Sequence, residues 1–306
     1  RRALLRPAPA VLAAAGTAGY RRPMLAPPST VPAASPLYVC DATQPRRLER
    51  ALQDLGGGFR RWRLAAALAW LDIRNRYRGS VLGPIWLTLS TAVMVFALGL
   101  LYSSLFQLSL AEYLPWLAVS LIIWSMIAQT VNDACTTFTG AEGIIRQMPL
   151  PYTIHVLRMV LRNALTAAHS LPLALLVLLL FGAMPGWEAL LALPGLAVVA
   201  VNAVAVGIFL GMVCARFRDI GPIVASVMQL AFFLSPVLWK PELLGERQVW
   251  LPLNPFYVLM EVVRGPLLSG GAAPVVWASA LLWTGAACAA ALAFFVRFRG
   301  RIAFWI

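Results

Sequence analysis

The chain has 306 residues, 60% of them apolar and 12% charged, with mean hydropathy +0.78; an ordinary soluble domain has roughly 45–50% and about 25%. Too little polar surface remains to cover a water-soluble globule, which excludes soluble, disordered and disulfide-stapled chains and leaves an integral membrane protein. The net charge of +13 comes from 25 basic residues, with Lys240 the one lysine, against 12 acids; the arginines stand at the edges of apolar stretches, as membrane topology requires, and not on one nucleic-acid-binding face.

Residues 1–58 differ from the rest. The first 40 hold five arginines, no acid and much Ala and Pro, and the weakly apolar run from Val11 to Gly19 is too short to span a bilayer. This stretch reads as a disordered or atypical tail, or as sequence upstream of a start at Met24, with a targeting peptide as the other reading. Gly56, Gly57 and Gly58 read as a flexible joint.

From 59 to 77 the spacing predicts an amphipathic helix. Phe59, Trp62, Ala66, Trp70, Ile73 and Tyr77 recur at steps of three or four, and Arg60, Arg61, Arg63, Arg74, Arg76 and Arg78 flank them. Aromatics on one face with bordering arginines suit a helix lying in the headgroup layer against membrane lipids; packing on the protein's own base would give the same stripe.

Six spans follow, at about 83–106, 114–131, 161–181, 189–215, 222–239 and 275–296, of which the second and fifth are shortest. With six, both termini and the even-numbered loops share one side. Arg63, Arg74, Arg76, Arg78, Arg146, Arg158, Arg162, Arg216, Arg218, Arg297, Arg299 and Arg301 lie there near the spans, against Lys240, Arg247 and Arg264 opposite. The positive-inside rule puts both termini in the cytoplasm.

Between the second and third spans, Ala141, Glu142, Gly143, Ile144, Ile145, Arg146 and Gln147 form a short amphipathic piece that Pro149 and Pro151 terminate. It suits a mechanical contact, and a plain connector equally. The next helix carries a polar stripe: His155, Arg158, Arg162, Thr166 and His169. A charge deep in the bilayer costs at least ~2.5 kcal/mol unless paired or hydrated, so the stripe faces protein or water, with Asp133 and Glu142 as expected partners. In the outer loop 240–272, Pro255 to Leu268 is too short to span and reads as a capping, re-entrant or gate helix. Asn254 bounds it, and Glu261 and Arg264 sit at i, i+3 within it.

No phosphate loop of the GxxxxGK[ST] type, no GxSxG and no HExxH occurs, and the four cysteines lack metal-ligand spacing. No catalytic or metal-binding set is expected. The spans also hold no acid that could couple an ion, so a transporter built this way would take its energy from another subunit.

Four stretches together resemble the permease subunits of ABC-2 type exporters of polysaccharide and O-antigen: Asp72-Ile-Arg-Asn-Arg-Tyr-Arg-Gly-Ser80 leading into Val81-Leu-Gly-Pro-Ile-Trp86; Ala141 to Pro151; Arg216-Phe-Arg-Asp-Ile220; and Phe232 to Trp239, followed by Asn254-Pro255 and Arg264. The resemblance covers about 60–306 and implies an all-α transmembrane domain over 59–306, with an interfacial helix at its start. Residues 136–150 would contain the coupling helix, and 240–272 would shape the exit. It also implies a homodimer in the bacterial inner membrane, docked on two ATP-binding cassette subunits that hold ATP and Mg²⁺, with a lipid-linked glycan as cargo. Trp86, Tyr102, Tyr113, Trp116 and Trp124 are candidate sugar-stacking aromatics, although a membrane-interface belt explains each equally. A permease for drugs or lipids, and a non-energised scaffold, are the alternatives.

Overall fold

The computed structural model describes residues 47–80 and 85–306. The tail 1–46 and the motif residues Val81, Leu82, Gly83 and Pro84 lie outside the described residues. Within them the chain is helical and contains no strand.

Two helices open it, α1 (Arg47–Arg60) and α2 (Trp62–Arg76). The predicted joint at Gly56–Gly58 is therefore corrected: these glycines are helical, and residues 47–58 belong to the folded unit. Close packing explains why the last of them is small. A Cβ on Gly58 would lie 2.5 Å from the Thr153 Cβ, so α1 approaches the start of α6 as only a glycine permits.

Then come α3 (Ile85–Leu105), α4 (Leu110–Cys135), α5 (Glu142–Gln147), α6 (Tyr152–Ala168), α7 (Leu171–Leu180) and α8 (Ala192–Arg216). They are followed by α9 (Ile220–Leu234), α10 (Pro255–Leu268), α11 (Pro274–Phe298) and α12 (Ile302–Trp305). Among the described residues, five stretches are long and apolar enough to cross a membrane: Thr88–Leu105, Leu110–Cys135, Tyr152–Leu180, Trp187–Arg216 and Pro274–Trp305. The third is broken where Pro172 enters the first turn of α7 and cannot donate a backbone hydrogen bond. One carbonyl at this break, that of His169, accepts a hydrogen bond from the Thr88 hydroxyl of α3 at 2.9 Å.

The stretch expected to span at 222–239 differs. Its helix, α9, has 15 residues, roughly 22 Å at 1.5 Å per residue, and residues 235–239 leave helical geometry. Pro236 is the physical reason, since a proline here removes a helical donor. The irregular piece survives because it is buried and its carbonyls are used: Pro236 O accepts from Arg264, and Leu238 O from the Tyr113 hydroxyl. Non-helical backbone at membrane depth is tolerated only with such partners.

One apolar core joins α4, α10 and the inner faces of α7, α8 and α11, around Leu117, Leu121, Val258, Met260 and Ala280. A second lies at the α5 end, where Phe138, Val156, Met212, Phe295 and Ile302 meet. In the first, α8 and α10 touch backbone to backbone; a Cβ on Gly195 would overlap the Val262 carbonyl.

Candidate functional site

At the α5 end the short helix stands on a braced platform. Phe138, fully buried against Tyr152 and the second core, anchors the connection from α4, and a 3-10 turn at Thr139–Ala141 leads into α5. Ala141 is buried; Glu142, Gly143, Arg146 and Gln147 are exposed, with Ile144 and Ile145 half-buried. Glu142 and Arg146 pair along the helix at 2.9 Å, and Arg146 also donates to the Ile306 carbonyl at 2.7 Å. The arrangement is a short, braced helix with a polar outer surface.

The platform itself is tied by Asp54, a residue of the stretch expected to be tail. Its side chain is buried and accepts from the Tyr152 and Thr153 amides at 3.1 and 3.0 Å and from the Thr153 hydroxyl at 2.8 Å. Arg299 adds a charged bond at 2.8 Å. A carboxylate at the start of α6 satisfies otherwise unpaired amides and complements the helix dipole; it is delivered here by a helix about 100 residues earlier.

Deeper, α2, α4 and α6 are joined by charges. Arg158 grips Asp72 with two hydrogen bonds, at 2.7 and 2.5 Å. Arg162 reaches Asp133 at 2.7 Å and Asp72 at 3.5 Å. Two arginines and two aspartates thus neutralise one another in partly buried positions, which makes charge at this depth affordable. Asp133 is the partner expected from the sequence. Glu142 is not, since it pairs with Arg146, and Asp72 was missed. One turn further along, Gln129 donates to Asn163 at 3.3 Å. His155 is 2% exposed; His169 stands at the α6–α7 break with its Nδ1 2.7 Å from the Leu165 carbonyl.

On α2 the predicted aromatic face divides. Ala65, Ala69 and Ile73 are buried, the side turned to Ile154 and Leu157 of α6, while Trp62 and Trp70 stay 55% and 60% exposed and Phe59, at the end of α1, points outward as well. Arg74, Arg76 and Arg78 are exposed and Tyr77 half-buried. Small residues seat the helix on the protein, and bulky aromatics face outward.

At the opposite end the expected gate residues make a structural hub. Arg264 is 2% exposed. It donates to Glu261 at 3.1 and 2.5 Å, to the Ser120 hydroxyl at 2.8 Å and to the Pro236 carbonyl at 2.8 Å, and lies 4.5 Å from the Trp116 ring centroid. Asn254 caps α10 by accepting from the Phe256 and Tyr257 amides and donates to Ser235 at 3.0 Å. Lys240 pairs with Glu112 at 2.5 Å. Of the candidate sugar-stacking aromatics, two are corrected. Tyr113 is fully buried with its hydroxyl on Leu238, and Trp124 is enclosed by Phe232 and Phe256. Tyr102 and Trp116 are half-buried, and Trp86 is 57% exposed.

With this geometry in view, similarity to known proteins can be placed on it. Residues 63–268 match the ABC-2 type transporter family, a range running from the start of α2 to the end of α10. An O-antigen export system permease protein RfbA of Myxococcus xanthus is 24% identical over 200 residues, covering 64% of this chain and 77% of that protein. Its namesake from Klebsiella pneumoniae is 21% identical over 201 residues, covering 65% and 78%. The matched range takes in the α2–α6 charge network, the short α5 helix and the Arg264 hub, and the chain belongs to the ABC-2 type transporter family.

Proposed function

We propose that this chain is the membrane permease of an ATP-driven exporter that moves a lipid-linked polysaccharide, of the O-antigen or capsule kind, across the bacterial inner membrane. It works as a pair, and each copy receives one ATP-binding subunit, which binds ATP and Mg²⁺ and hydrolyses the nucleotide. The observation that carries the reading is α5: a six-residue helix with its polar side outward, braced by Phe138, Arg146 and the Asp54-capped α6. A lever of that build passes a push from a docked partner into α4 and α6. The names of the relatives supply the cargo class.

The arginine distribution supports cytoplasmic placement of the α5 end, where both the start of α1 and Ile306 belong. Trp62, Trp70 and Phe59 then lie among lipid headgroups, and Trp86, Tyr102 and Trp116 are the aromatics left for sugar contact. The test is substitution within α5. Ile144→Asp and Arg146→Glu leave membrane insertion and protein level unchanged but abolish glycan export and cargo-stimulated ATP hydrolysis. Export at the wild-type rate by both variants would remove the coupling role.

A further inference from the structure

A small polar pocket of about 100 Å³ lies between the end of α4, the α4–α5 connection and the first half of α6. Asp133, Thr137 and Ala141 border it from one side, His155, Met159 and Arg162 from the other. His155 is 2% exposed, and among the described residues neither of its ring nitrogens has a hydrogen-bond partner; the Arg162 Nε is likewise buried without one. The neighbouring groups are already committed. Arg158 is held by Asp72, the Arg162 Nη atoms by Asp133 and Asp72, and the Thr136 and Thr137 hydroxyls by the Asp133 carbonyl.

What would satisfy the orphaned atoms can be read from their chemistry. A neutral imidazole presents one donor and one acceptor, and Arg162 Nε adds a donor. The ligand must therefore both give and receive hydrogen bonds. It must also be uncharged, because two arginines and two aspartates already balance around the pocket. Water meets both conditions, and the volume holds two or three molecules at about 30 Å³ each.

We propose that this pocket is an internal water-binding site built by His155 and Arg162, and that its waters bridge the α4–α5 connection to α6. Bridging water can exchange partners where direct side-chain contacts would have to break. His155 is thus a positioning residue, and its bearing on transport rests on the coupling reading above; the site itself does not.

Radiolytic hydroxyl-radical labelling of the purified chain, without nucleotide or partner, tests the site. Radicals formed from bound water oxidise buried methionines only where water sits beside them. Met159 is 2% exposed and lines the pocket, whereas Met212 and Met260 are fully buried in apolar cores. Met159 is expected to label several-fold faster than Met212 and Met260 if two or three waters occupy the pocket. In His155→Leu that excess is lost, and in His155→Gln, which keeps a donor and an acceptor, it is retained. Equal labelling of the three methionines in the wild-type chain would overturn the proposal. So would a Leu variant that labels Met159 as fast as wild type.

Discussion

Asp54 shows how a single side chain can decide where a domain starts. Without its carboxylate, two amides of α6 and Arg299 lose their partner together. Asp54→Ala is expected to lower stability by about 3–5 kcal/mol, the usual cost of orphaning a buried charge; thermal unfolding in detergent reads the loss, with rapid proteolysis near residue 60 as a second sign. Arg162 stands in the same position. Arg162→Leu leaves Asp133 without its cation and destabilises the folded chain, and Asp133→Leu added to it recovers part of the loss, because a neutral apolar pair carries no unpaired charge. A double variant no more stable than the single one contradicts that pairing. Arg264→Met at the other end frees Glu261, Ser120 and the Pro236 carbonyl at once. It should cost a similar amount, so loss of export in that variant reports on folding before it reports on gating.

At the scale of elements, α2 splits the face that its spacing predicts, with Ile73 buried and Trp62 and Trp70 exposed. Alanines pack inward and tryptophans point out, so Trp62 and Trp70 in bilayer vesicles should be quenched by lipids brominated near the headgroup more than by lipids brominated near the chain end. The reverse order would place the helix elsewhere. The apolar stretches, α5 and α10 were legible in the sequence because hydropathy, proline stops and the Asn254-Pro255 cap are local signals. What stayed hidden was non-local. Asp72 is the acid in the middle of an otherwise basic and apolar helix, which was a usable hint, yet its partner Arg158 is 86 residues away. Asp54 carried no hint, because it stands in the stretch that reads as tail, just before the three glycines that read as a joint. The aromatics failed for a related reason: composition marks Tyr113 and Trp124 as sugar-binding types, but only packing shows that their faces are covered.

For the whole molecule, the two ends divide the work. The α5 end carries an exposed lever above paired charges, and the α10 end carries a buried arginine hub that lets irregular backbone stand at membrane depth. Between them α4 runs from Glu112, paired with Lys240, to Asp133, paired with Arg162, so one helix connects the lever to the proposed exit. In the proposed function this architecture draws its energy from a separate ATP-binding subunit, and that proposal is the central claim. Purification of the chain from native membranes in mild detergent, followed by intact-complex mass spectrometry, tests it most directly. The account predicts two copies of this chain bound to two copies of a chain that carries a phosphate loop. Recovery of the paired chain alone, under conditions that keep its own dimer intact, would contradict it.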